Sequence, residues 1–288
     1  MSAVADGRRR VAKGDAAPAV MSHVVMAIWS LIVVVPFLWT VLSSFKTTRE
    51  IFASPLSLPA EWQFSNYVTA WDDSGIGAAF LNTVLVVGSA LVIVMILGAM
   101  CAYILARFQF IGRRFIYYLM LAGLTFPIFL AIVPLFFVLR NIGLLGQLPG
   151  LTITYVAFAL PFTVFFLYSF FQTLPEEIAE AARVDGASEW RTFFQVMLPM
   201  ARPGMASVAI FNFLGLWNQF VLPVALNNAD PNNRLLSQVM ARFASQAGYA
   251  VDFGALFAAV VITVVPVLVV YVVFQRQLQG SVSAGTLK

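Results

Sequence analysis

Residues 174–190, LPEEIAEAARVDGASEW, form the longest charged stretch away from the two chain ends. They lie between two long apolar runs in a 288-residue chain that is 61% hydrophobic and only 10% charged. The local chemistry predicts a helix, a glycine turn and a second helix. Thr173 is placed to cap the first helix, with Glu176 three residues on as in a capping box. Pro175 falls near the first helical positions, where its missing donor costs little. Glu176 and Glu177 suit the positive end of the helix dipole. Gly186 is placed to end the helix in a left-handed cap. Ser188 can cap a second helix through EWRTFFQVM, residues 189–197. Pro199 and Pro203 mark the turn into the next apolar run. Ala181 and Ala182 give a flat face that another surface can approach, with Glu177 and Glu180 around it and Asp185 at its end. Helices that lie on a bilayer tend to be rich in Lys and Arg. This one is acidic, so a protein with a basic groove is the better-matched partner.

The surroundings of this insert are membrane-like. Soluble domains are roughly 45–50% apolar and about 25% charged, whereas this chain has a mean hydropathy of +0.88. Spanning a bilayer core takes about 20 mostly apolar helical residues. Six runs qualify, at about 24–45, 80–106, 115–139, 151–171, 203–226 and 253–274. They must be helical, because lipid cannot satisfy open backbone groups, and the alternation of a β-barrel is missing. The first run is longer than the apolar region of a signal peptide and lacks an obvious cleavage site, so it is read as retained. The fold class is therefore an all-α polytopic membrane protein with six transmembrane helices. Residues 1–22 read as a disordered basic tail. The first span and an external segment fill 23–75, a core with the charged loop at 173–199 fills 76–275, and 276–288 form a C-terminal tail.

Basic residues orient the spans. Of 17 Lys and Arg, 12 fall on the side of the N-terminal tail and the 174–190 insert, and 5 on the other. The positive-inside rule puts both termini and the insert in the cytoplasm.

Several function classes are excluded by what is missing. One cysteine, Cys101, allows no intrachain disulfide and no cysteine-based metal site. A single histidine, His23, rules out a His-rich metal site or a His-based triad. No phosphate-binding loop or dinucleotide fingerprint is present, so the chain has no visible means of hydrolysing ATP. No cofactor or nucleic-acid partner is indicated. No ionisable residue lies mid-span, which argues against a proton-driven carrier but leaves a sodium-driven one open. No acid, base or nucleophile converges within the spans, which argues against an enzyme.

Prolines at 36, 127, 134, 161, 223 and 266 favour kinks. Gly88, Gly98, Gly204 and Gly215 permit close helix approach. Trp217, Asn218 and Gln219 lie within the fifth run. They either line a solute path or bond neighbouring helices, and both readings stand. The external segment 61–74, EWQFSNYVTAWDDS, carries Trp62 and Trp71 as interfacial anchors. The external loop 227–252 is long and polar, and it either reaches toward a partner or packs on its own bundle.

Residues 180–199, EAARVDGASEWRTFFQVMLP, resemble the EAA loop of ABC-importer permeases. That pattern is EAA, three residues, Gly, nine residues, an aliphatic, one residue, then Leu-Pro. Here it is Glu180-Ala181-Ala182, Gly186, Val196 and Leu198-Pro199, with Val196 where Ile is more usual. Residues 82–114 are similar to the second span of the sugar-type permeases, LGLWNQFVLP (214–223) to their fifth, and the ending GSVSAGTLK to their C-terminus. The resemblance covers about Trp29 to Lys288 and points to the six-span, maltose-type carbohydrate-uptake family with the ABC transmembrane type-1 fold. It implies a non-catalytic subunit in the cell membrane that forms half of a sugar pathway beside a second permease. The loop then couples it to cytoplasmic ATP-binding subunits through Glu177, Glu180, Ala181, Ala182, Asp185, Gly186 and Ala187. An extracellular binding protein delivers the sugar. The alternative is a sodium-coupled or facilitative carrier acting alone.

Overall fold

A computed structural model describes residues 16–227, 230–245 and 251–285, with side chains placed for 20–227, 230–243 and 251–275. No strand occurs among the described residues. α1 (Ala16–Ser43) leads to two short helices, α2 (Thr48–Ala53) and α3 (Ser65–Val68), the latter prolonged by a wide helical turn to Asp73. α4 (Ile76–Arg107) is followed by α5 (Arg113–Thr125), α6 (Ile128–Asn141) and α7 (Leu148–Thr173). Next come α8 (Glu176–Val184), α9 (Glu189–Arg191), wide turns over Thr192–Met197 and α10 (Leu198–Met200). α11 (Arg202–Trp217), α12 (Val221–Leu226), α13 (Leu236–Ser245) and α14 (Phe253–Gly285) complete the chain.

The core is the parallel pair α4 and α7, which meet from Ser89 and Thr152 to Tyr103 and Phe171, because their facing positions are mostly small or branched. Val86, Ala90, Val94 and Ala102 of α4 and Val164, Leu167 and Phe171 of α7 are fully buried. At Gly98 a Cβ would sit 2.4 Å from Cγ2 of Thr163, so only glycine allows this approach. Gly204 makes a similar approach to the Phe170 ring, whereas Gly88 and Gly215 face open space. Two of the four span glycines thus serve close packing. α11 joins the pair through Asn212, whose amide donates to Thr163 Oγ1 at 2.7 Å and reaches Met95 Sδ at 3.7 Å.

Among the described residues four helices are long and apolar enough to cross a membrane: Val20–Ser43, Ile76–Arg107, Leu148–Thr173 and Phe253–Gln275. The other two apolar runs are broken. α5 and α6 meet at a 108° bend where Phe126 and Pro127 are extended, because a proline restricts the residue before it. α11 stops at Asn218, and α12 restarts after Phe220. Each broken pair still carries the chain from end to end. Arg113 Nε donates to the Leu105 carbonyl (2.7 Å) at one end, and the Gly146 amide donates to the Leu226 carbonyl (3.0 Å) at the other.

α1 begins at Ala16, inside the segment read from sequence as tail, because Ala16, Ala17 and Ala19 extend the helix. Residues 1–15 lie outside the described residues. α14 runs to Gly285, well past 275. Pro36, Pro134, Pro161 and Pro266 lie inside helices, Pro127 at the α5–α6 break and Pro223 in short α12.

Candidate functional site

The charged insert folds as a helical hairpin at the α4 and α7 C-terminal end of the bundle. Its turn is built on Gly186, at φ +81°. The Gly186 amide donates to the Arg183 carbonyl and the Ala187 amide to the Ala182 carbonyl, both at 3.0 Å. These paired bonds satisfy the orphan carbonyls of α8. The Ser188 hydroxyl accepts from the Arg191 amide, as its N-cap position predicts. The other predicted cap is replaced. Thr173 is the last residue of α7, its hydroxyl donates to the Phe170 carbonyl, and α8 starts after Pro175 with no side-chain cap. The run Phe170-Phe171-Gln172 offers nothing to end α7 earlier.

α8 has two distinct faces. Ala179 is buried, and Ile178 and Ala182 are half-buried against the segment 192–197. Glu177, Glu180, Ala181 and Val184 are exposed. They fall at the i, i+3, i+4, i+7 spacing of one helical stripe. Asp185 and Gly186 continue it exposed at the turn, and Ala187 is half-buried. Val184 is 87% exposed and Trp190, which stacks on Phe194 at 9°, is 62% exposed. Neither was singled out from sequence, although helical spacing from Glu177 reaches Val184 directly.

The base of the hairpin is held firmly. Phe193 is nearly buried, and Met197 and Thr192 fully so. The Tyr103 ring of α4 contacts Phe193, Phe171 and Phe108, with centroids 5.0, 5.5 and 5.9 Å away. Arg107 donates to the Phe171 (2.8 Å) and Leu174 carbonyls, placing a cation on the negative end of α7. Across the hairpin, Arg183 pairs with Glu189 at 2.9 Å, and its guanidinium carbon lies 5.9 Å from the centre of the Phe108 ring. The hydrogen bond to Glu189 raises the Arg183 pKa further above its ordinary value. These contacts tie the base of the hairpin to α4 and α7.

The second predicted group sits at the break between α11 and α12. Trp217 is nearly buried, meets Phe80 edge-on at 5.9 Å and donates its indole N–H to the Thr263 carbonyl of α14. Asn218 is exposed and bonds back to Leu214 in its own helix. Gln219 is half-buried and accepts from the Val221 amide through Oε1. Asn218 and Gln219 are thus beside an unwound turn, and Trp217 is packed.

At the far end Asn227 and the segment 230–238 strap the helices together. Asn82 donates to the Asn232 and Arg234 carbonyls at 2.7 and 3.0 Å. The buried Asn227 amide donates to the Asn233 carbonyl at 2.6 Å and to Gln238 Oε1 at 3.3 Å. Thr83 accepts from the Leu236 amide. The described part of the loop packs on its own bundle. Lys46, counted from sequence as a loop charge, is fully buried and donates to the Ser54 and Pro55 carbonyls and to Ser57 Oγ at 3.1–3.3 Å. Trp62 packs edge-on against Phe45, and Trp71 lies 5.7 Å from Phe80. Among the described residues no cluster of three metal-ligating side chains occurs.

A hairpin with a bare acidic stripe, rigidly tied to a membrane-like helix core, matches a known sequence profile. The profile of the family described as "binding-protein-dependent transport system inner membrane component" covers residues 94–283. The chain belongs to that family. It is an ABC transporter permease subunit, a non-catalytic multi-pass membrane component. It is 65% identical over 280 residues to the diacetylchitobiose uptake system permease protein NgcG of Streptomyces coelicolor, covering 97% of this chain and 92% of that one. It is 31% identical over 253 residues to the trehalose transport system permease protein SugB of Mycobacterium tuberculosis, covering 88% and 92%. In fold it matches a chain of a bacterial ABC transporter involved in import of the acidic polysaccharide alginate. That match has a TM-score of 0.78 and 21% identity, covering 93% of this chain and 98% of the other.

Proposed function

We propose that this permease subunit carries a neutral oligosaccharide of the diacetylchitobiose class, forming half of the pathway beside a second permease. The observation that carries the mechanism is the hairpin. Its exposed stripe is acidic with one bare valine, its turn needs glycine, and its base is fixed to α4 and α7. That is the shape of a lever whose tip docks in a groove of an ATP-binding subunit. Closure of two such subunits on ATP would then turn the permease halves as rigid bodies about their interface.

Six crossings are supported by four intact helices and two broken ones that each run from end to end. The excess of basic residues on the hairpin side supports cytoplasmic termini. α1 supports a second permease. Its residues 20–35 lie outside this chain's bundle, exposed on all sides. Asn218 and Gln219, at the unwound turn, are the proposed pathway residues. An extracellular binding protein would present the sugar at the far end, where Asn227 and the segment 230–238 give it a self-bonded surface.

The test is purification of the complete transporter with its binding protein, followed by a sugar screen for stimulated ATP hydrolysis. Diacetylchitobiose should stimulate more than trehalose or maltose. Equal stimulation by all three, or by none, defeats the substrate assignment. Absence of a co-purifying ATPase defeats the coupling assignment.

A further inference from the structure

The hairpin end holds a cavity that the coupling reading does not use. It measures about 430 Å³ and lies between the last two turns of α4 and the second arm of the hairpin. Met100, Ile104, Phe108, Phe110, Trp190 and Phe193 make its walls apolar. Three polar side chains line it, Tyr103, Gln109 and Glu189, and Glu189 is already paired with Arg183. Its volume falls within the range of small-molecule sites.

Gln109 and Phe110 also line a second recess of about 620 Å³, whose remaining walls include Arg113 and Arg114. Arg113 spends its Nε on the Leu105 carbonyl, which pins the loop to α4. Arg114 is exposed. Between the two recesses the loop tip carries Ile111 fully exposed, with Phe115 72% exposed. Apolar side chains of that size standing free beside two arginines fit the boundary between acyl chains and headgroups, not bulk water.

We propose that this pair of recesses is a binding site for one anionic phospholipid of the hairpin-side leaflet. An acyl chain fills the apolar cavity against Ile104, Trp190 and Phe193, and the phosphate lies against Arg113 and Arg114. Charge complementarity selects the occupant. A zwitterionic lipid gains less from two arginines, and a soluble phosphate leaves the apolar cavity empty. Because Trp190 and Phe193 belong to the hairpin, the bound lipid braces the lever from its membrane side. The inference does not depend on which protein docks on the exposed stripe.

The complete transporter, purified in mild detergent from membranes containing phosphatidylglycerol and phosphatidylethanolamine, is examined by native mass spectrometry. Wild type should retain phosphatidylglycerol above its membrane fraction. Arg114→Gln removes one phosphate contact and Ile104→Trp fills the cavity. Each should lower retained phosphatidylglycerol several-fold while the ATPase stays bound. In nanodiscs, wild type should melt at a higher temperature in phosphatidylglycerol than in phosphatidylcholine, and the variants should lose that difference. Equal retention by wild type and both variants overturns the proposal. So does retention of phosphatidylethanolamine alone, or a photo-crosslinker at position 104 that captures a protein subunit instead of lipid.

Discussion

The two ends of the molecule treat their polar groups in opposite ways. At the far end four side-chain amides are turned onto the chain itself. Asn82, Asn227 and Asn233 each donate to a backbone carbonyl of the chain itself, and Gln238 accepts the Leu235 amide. At the hairpin end the charged groups are turned outward, and only the base is anchored. A surface that satisfies itself is a platform, and a surface that leaves an acidic stripe and Val184 bare is built for a partner. The difference separates residues that set stability from residues that set coupling.

The largest expected effect tests the outward end. Gly186→Leu places a branched side chain at φ +81°, which costs about 1–2 kcal/mol locally, and it also thickens the turn. Co-purified ATPase and sugar uptake should each fall about tenfold or more, with permease abundance in the membrane little changed. Normal uptake would show that the turn is not at the interface. Arg107→Gln comes next. It removes the cation from the end of α7, an interaction worth up to about 2 kcal/mol in partly buried settings, and leaves the exposed stripe intact. ATPase binding should persist while ATP consumed per sugar transported rises several-fold. An unchanged ratio would mean that Arg107 does not transmit motion.

The inward end should respond differently. Asn227→Leu removes the side-chain donor to the Asn233 carbonyl and one of the donors to buried Gln238 Oε1, at about 1–3 kcal/mol. The purified transporter should lose several degrees of thermal stability and keep its ATPase. Loss of ATPase binding with stability unchanged would erase the contrast between the two ends. The smallest effect belongs to Asn212→Leu in the helix core. Its bond to Thr163 should be worth about 0.6 kcal/mol, the average for such bonds between membrane helices, so abundance should fall only slightly. A severe loss would assign Asn212 a role beyond packing.

Much of the hairpin was legible in the sequence because it obeys local rules. Gly186 and Ser188 cap where their chemistry puts them, and the acidic first turn of α8 starts next to Pro175. Thr173 was misread because a cap is identified by what precedes it, and α7 runs on through Thr173 with no stop signal. The helix core was legible as apolar runs but not as directions. Hydropathy is continuous through 115–139 and 203–226, yet α5 and α6 differ by 108° and α11 stops at Asn218. Composition reports whether a segment belongs in lipid and says little about where it bends. The burial of Lys46 depends on carbonyls of Ser54 and Pro55, which only the folded loop brings to it. No periodicity encodes that. Val184 was within reach of helical spacing from Glu177, whereas the exposure of Trp190 depends on how the wide turns of 192–197 set the second arm.

The account rests most heavily on the bare stripe of α8 being the surface an ATP-binding subunit covers. Cys101 is the chain's single cysteine, so Val184→Cys in a Cys101→Ser background gives one reporter at the turn end of that stripe. Inside-out membrane vesicles are treated with a membrane-impermeant thiol reagent, with and without the co-expressed ATPase. The reporter should label quickly in permease-only vesicles and be protected about tenfold or more when the ATPase is present. Labelling at the same rate in both would contradict the account.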